Sequence, residues 1–169
     1  MRLYSAKVPQ VAAEMVAGLV AEKAIESEQL DEVALDIQSV LSQYIRDEQE
    51  VTDRAKDLAA ARNLPPAELG RMKRLVAEER GIKVGDDAID YLLDQLVEIL
   101  MHSHNVDEIF AEDVDLRRIM RIPLRKQLAE EESLVAEVRG RLKHVQEGTR
   151  LWEIEYRRMM EDIKRRKGV

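Results

Sequence analysis

Between Asp31 and Asn63 the apolar side chains recur at helical spacing. Val33, Ile37, Val40, Leu41, Tyr44, Val51, Ala55 and Leu58 form one stripe. A helix this long with one apolar stripe has to bury that stripe against other helices. Shorter stripes follow the same period. Val8, Ala12, Met15, Val16, Leu19 and Val20 make one, and Ile89, Leu92, Leu93, Leu96, Val97 and Leu100 another. A further long helix is expected over about 114–147, and a last one carries Trp152, Tyr156, Met159, Met160 and Ile163. The fold class is read as all-α. The long stripe thins at "RDEQE" (46–50), where one turn is nearly all charged and is expected to stand clear of the core.

Punctuation between the stripes supports long elements, since only seven glycines and four prolines occur. Pro9 suits the first turn of a helix. Pro65 and Pro66 stop one helix and permit the next. Gly81 is placed as a C-cap, Asp86 as an N-cap, and Pro123 as a kink or an early start. Gly148 and Thr149 break the chain again, with Thr149 capping the last helix. The closing "KRRKG" puts cations at a helix C-terminus, where they suit the dipole.

The chain has 169 residues, of which 36% are charged and 45% hydrophobic, a balance that fits amphipathic helices with charged outer faces. Without any cysteine, disulfides, thiolate zinc sites, iron–sulfur clusters and cysteine nucleophiles are excluded. There is no apolar run long enough to span a bilayer and no apolar signal core in "MRLYSAKVPQ", so a cytoplasmic protein without membrane contact is expected. The net charge of −7 is uneven: −6 over residues 1–60, −7 over 61–116 and +6 over 117–169. An acidic body and a basic C-terminal third can attract each other, support head-to-tail association or offer an anion-binding surface.

Overlaying the chain on itself suggests a duplication. "KVPQVAAEMVAGLVAE" (7–22) matches "KVGDDAIDYLLDQLVE" (83–98), and "LSQYIRDEQEV" (41–51) matches "LRKQLAEEESL" (124–134). Two related helical lobes of about three helices each follow, 1–81 (acidic) and 82–169, with one long helix per lobe. The long helices are expected to pair across the lobes, with their charged turns projecting as arms. The offset grows from 76 to 83 residues, so seven extra residues fall between Glu98 and Leu124, with no equivalent in the first half.

Three constellations could carry chemistry. "EILMHSHNVDEIF" (98–110) holds His102 and His104. On a helix, residues two apart point in nearly opposite directions; on an extended segment they share a side. There they could chelate a divalent ion with Asp107 or Glu108, although a solvated or structural role is the favoured reading. The second constellation is basic. Arg117, Arg118, Arg121, Arg125 and Lys126 crowd three turns of one helix, with Arg71, Lys73 and Arg74 as a smaller cluster and Lys164–Lys167 as a third. Such patches could hold a phosphate-type anion. Nucleic acid is less favoured, because aromatics are only 4% and no Gly-rich phosphate loop occurs. Salt bridges within the chain or to a partner are the favoured reading. The third is the face of Trp152, Tyr156, Met159 and Met160, either core packing or a partner surface. Carboxylate runs such as "EEES" (130–133) read as solvated faces, and no catalytic motif is recognised.

"MRLYSAKVP", "LGRMKRLVAEERG", "VDEIFAEDVDLRR" and "EGTRLWEIEYRRMMEDIKRRKG" together resemble the bacterial domain-of-unknown-function 507 family over essentially the whole chain. The resemblance implies a small, all-helical, cytoplasmic bacterial protein. It implies no established activity and no catalytic residues. The expectation is a non-enzymatic interaction or scaffold protein that takes a protein partner or self-associates and needs no cofactor. The alternatives are an anion or nucleic-acid binder using the arginines, and a metal-dependent enzyme centred on the histidines.

Overall fold

A computed structural model describes residues 3–168. Met1, Arg2 and Val169, which belong to the matched terminal segments and to the lobe ends read from the sequence, lie outside the described residues. Six α-helices and two very short strands make up the described chain: α1 (Val8–Ala21), β1 (Ile25–Glu26), α2 (Leu30–Ala61), α3 (Leu69–Arg80), α4 (Ala88–His102), β2 (Glu108–Ile109), α5 (Asp113–Arg141) and α6 (Arg150–Lys167). The protein is all-α, and none of its described helices is long and apolar enough to cross a membrane.

Both halves repeat one order, helix, short strand, long helix, short helix. They meet at their connections, where β1 and β2 pair antiparallel with Ile25 opposite Ile109 and Glu26 opposite Glu108. The extra stretch in the second half is therefore not without a counterpart, because each half places a strand between its first two helices.

Packing joins the halves. α1 packs on α2 and α5, and α4 packs on α2 and α5. The four helices share one core, in which Met15, Leu19, Ile37, Leu41, Leu92, Leu96, Leu116 and Leu124 are fully buried. The two long helices are not neighbours in this arrangement, contrary to the expected pairing. Each lies instead between α1 and α4, because its stripe faces those two shorter, more apolar helices.

Beyond the core the long helices continue as arms, each covered by its own short helix. Val51 and Ala55 of α2 pack with Met72, Val76 and Ala77 of α3. Leu134, Val138 and Leu142 pack with Met160 and Ile163 of α6. The charged turn at 46–50 marks the passage of α2 from the body into its arm, and there Asp47 and Glu48 are half-buried rather than clear of the protein.

Several ends follow the sequence. Gly81 takes φ 71° as the C-cap of α3, with the Ile82 N–H donating to Ala77 O at 3.0 Å. Thr149 Oγ1 accepts the Trp152 N–H at 3.2 Å and caps α6. Asp86 does not cap α4. It sits inside a 3₁₀ turn, Gly85–Asp87, and its side chain makes no capping bond. α5 runs through Pro123 and ends at Arg141, short of the expected Glu147.

Candidate functional site

The histidine segment begins as helix and ends as strand. His102 closes α4 and its Nδ1 lies 2.9 Å from Glu98 O, while His104 is in the following turn; both rings are exposed. Among the described residues no group of three or more His, Asp or Glu is placed to hold a metal ion. The polar residues between and after the histidines do structural work. Asp36 of α2 accepts hydrogen bonds from Ser103 Oγ and from Asn105 Nδ2, the latter at 3.0 Å. Asp107 Oδ2 accepts the Glu28 N–H at 2.9 Å, just before α2 begins. The segment is a clasp that ties the second connection to the start of α2.

The basic clusters are largely spoken for by carboxylates of neighbouring helices. Arg117 pairs with Asp113 at 2.9 Å and with Asp94 of α4. Both hydrogen bonds, Asp113 first, push its already high pKa further up. Arg118 reaches Glu22 at the end of α1 at 3.2 Å, and Arg121 reaches Asp90 of α4 at 2.6 Å. Lys126 pairs with Glu14 of α1 at 3.3 Å. Exposed pairs of this kind add little stability singly, but these four residues orient α5 on both of its neighbours. An incoming anion would have to displace a carboxylate at each. Arg71 pairs within its own helix region with Glu68 at 3.6 Å. Arg74 and Arg125 are exposed and make no ion pair among the described residues.

The C-terminal apolar face is turned onto α5. Met160 is buried, and Trp152, Tyr156 and Met159 are half-buried against the same cluster. Trp152 and Tyr156 stack with ring centroids 4.9 Å apart. The side chains of α6 left in solvent are different ones, Leu151 and Ile154.

Sequence reading missed a concavity between the arms. The two arms diverge from the body, and the space between them is a solvent-open cleft of about 1020 Å³. Ile45, Thr52 and Lys56 of α2 and Lys73 of α3 line one wall. Leu128, Glu132, Val135 and Arg139 of α5 line the other, with Tyr4 and Ile89 at the base. The base is pinned by Glu131, which is buried and accepts the Tyr4 N–H at 3.1 Å. Lys164 of α6 places Nζ 2.8 Å from the centre of the Tyr4 ring, a cation–π contact that ties the second arm to the N-terminal segment.

A family model described as a protein of unknown function, DUF507, matches residues 1–169. The chain belongs to this family. A comparison with curated proteins gives no match. The segments that carry the resemblance of this DUF507 chain have structural roles. "LGRMKRLVAEERG" is α3 with its Gly81 cap, "VDEIFAEDVDLRR" runs from the clasp through β2 into α5, and "GTRLWEIEYRRMMEDIKRRKG" is α6 with both caps. The DUF507 cleft left one trace in the sequence. The matched blocks "LSQYIRDEQEV" and "LRKQLAEEESL" supply Ile45, Glu48 and Gln49 on one side and Leu128, Glu131 and Glu132 on the other.

Proposed function

We propose that this DUF507 protein is a binding module, not an enzyme, and that it holds a segment of a partner protein between its two arms. The observation that carries this reading is the cleft itself, whose two walls belong to arms that pack separately and face each other across solvent. Ile45, Leu128 and Val135 are half-buried there and offer apolar area, while Lys56, Lys73, Glu132 and Arg139 give the rims charges of both signs. Apolar side chains set among charges of both signs fit a protein-binding surface. The anion reading has less support, because Arg117, Arg118, Arg121 and Lys126 already meet carboxylates.

Photo-crosslinkers at Thr52 and Ala136 test the reading in cells that make the protein. Both positions should capture the same partner, and Val135→Arg should abolish that capture with the helical circular dichroism unchanged. Equal capture of that partner from Ile122, which is exposed on the helix surface away from the cleft lining, or its survival in Val135→Arg, would overturn the reading.

A further inference from the structure

Two exposed apolar patches lie at opposite ends of the molecule, and their surroundings carry opposite charge. The first is at the body end. Phe110, the only phenylalanine, is 60% exposed and Val114 is 72% exposed. Phe110 follows Glu108 by two positions on an extended segment, so the two share a side. Glu26 stands opposite Glu108 in the strand pair, and Glu28, Glu112 and Asp115 are exposed close by in the chain. Lys23, Arg117 and Arg118 are cations of this end; Arg117 is paired with Asp113 and Asp94, and Arg118 with Glu22.

The second patch is at the tip of the second arm. Leu151 and Ile154 are 58% and 55% exposed and, three residues apart, share the side of α6 turned away from α5. Lys143, Arg150, Arg157 and Arg158 are exposed around them, with Glu147, Glu153 and Glu155 among the nearby carboxylates and Arg158 3.9 Å from Glu155. α5 separates the two patches. Its 29 residues span roughly 43 Å at 1.5 Å per residue, so the patches of one chain cannot meet each other.

From this geometry we infer that the arm tip of one copy docks on the body end of a second copy. Leu151 and Ile154 cover Phe110 and Val114, and the arginines of the tip meet the carboxylates of the strand pair. The occupant is a second copy of this chain because the two patches are complementary in charge and each is apolar at its centre. Two different patches make the contact heterologous, and repetition gives a ring or an open chain of subunits. The interface uses neither wall of the cleft, so it stands apart from the partner-binding reading.

Sedimentation of the full chain over a range of concentrations tests the inference. At low salt the protein should assemble as concentration rises, and about 1 M salt, where the screening length falls to about 3 Å, should weaken assembly. A tip variant (Arg157→Glu with Arg158→Glu) and an end variant (Glu108→Lys with Phe110→Ser) should each assemble about tenfold more weakly or not at all. All four positions are exposed, and unchanged circular dichroism serves as the fold control. A third variant, Leu151→Ser with Ile154→Ser, weakens the contact without altering charge. The diagnostic arm is a mixture. The tip variant keeps a sound body end and the end variant keeps a sound tip, so together they should form a 1:1 dimer and stop there. A wild-type protein that stays monomeric at every concentration overturns the inference, as does assembly indifferent to both variants. So does a mixture that fails to dimerise.

Discussion

Gly18 of α1 lies against Ile119 of α5, so close that a Cβ at Gly18 would stand 3.0 Å from Ile119 Cγ2. The two helices touch at the place where one half packs on the other. Alanine at a helix interior position gains up to about 1 kcal/mol over glycine, but overpacking a core costs about 1–3 kcal/mol. Gly18→Ala should therefore gain nothing and lose up to ~2 kcal/mol on balance, and Gly18→Val should lose more. Gly140 is the control. It lies in the last turn of α5, where an added Cβ would meet nothing within 4 Å. Gly140→Ala should stabilise by about 0.5 kcal/mol. Urea unfolding of the three variants decides it.

Tyr44 donates its hydroxyl to Lys83 O at 3.0 Å, and its ring centroid is 6.1 Å from that of Tyr91. Burial pushes the Tyr44 pKa well above 10, with the Glu48 carboxylate and Tyr91 adding to the rise. Tyr91 is raised as well, by burial first and then by Asp47. The sign follows from the unfolded chain. Below about pH 10 both states keep the proton and the folded state is favoured in full. Above it the unfolded chain loses the proton while the folded chain keeps it, so stability falls. Each such group steepens the fall by up to about 1.4 kcal/mol per pH unit. Tyr44→Phe should lose about 1 kcal/mol at neutral pH through the missing hydrogen bond, yet show a shallower alkaline decline. Equal slopes above pH 10 in denaturant titrations would refute this.

The helices were legible because each has one stripe and recognisable ends. Thr149 and Gly81 are side-chain and backbone requirements of their own turns, and local chemistry is what a sequence displays. Asp86 misled because the chain makes a 3₁₀ turn there before entering α4. The strand pair was not legible, since two residues are too few to show a period of two and β1 and β2 lie far apart in the chain. The packing of the long helices went unread for a related reason. A stripe says that a face is buried but not against which helix, and α1 and α4 came between α2 and α5. The cleft needed both arms in place, so its lining residues were visible only as two matched blocks.

His102 and Ser103 are neighbours with opposite expectations. The His102 ring is exposed at a helix end, and His104 is exposed beyond it. His102→Ala with His104→Ala should change stability by less than about 0.5 kcal/mol and leave the metal content of the purified protein unaltered. Ser103 Oγ donates to Asp36 and accepts the Asn105 N–H at 3.1 Å. Asp36→Ala removes the acceptor shared by Ser103 and Asn105 and should cost about 1–3 kcal/mol, as part-buried donors lose their partner. Amide exchange should speed up over residues 103–109 in Asp36→Ala and stay unchanged in the histidine variant. The reverse pattern would restore a structural or metal-binding role to the histidines.

Glu26 and Glu108 oppose each other in the strand pair that joins the two connections. Like charges directly opposite across strands destabilise, and an opposite pair contributes roughly 0.2–1 kcal/mol in the other direction. Glu108→Lys should therefore raise the melting temperature of the isolated chain at low salt, with the gain fading as salt screens the pair. If the acidic end receives the basic arm tip of a second copy, the same substitution should weaken assembly while it strengthens the fold. A stability gain with assembly intact would separate the two roles and leave the opposed carboxylates without the function inferred for them. A loss of stability would mean that the pair is not held against repulsion at all. Melting and sedimentation of Glu108→Lys, run in the same buffers, distinguish the three outcomes.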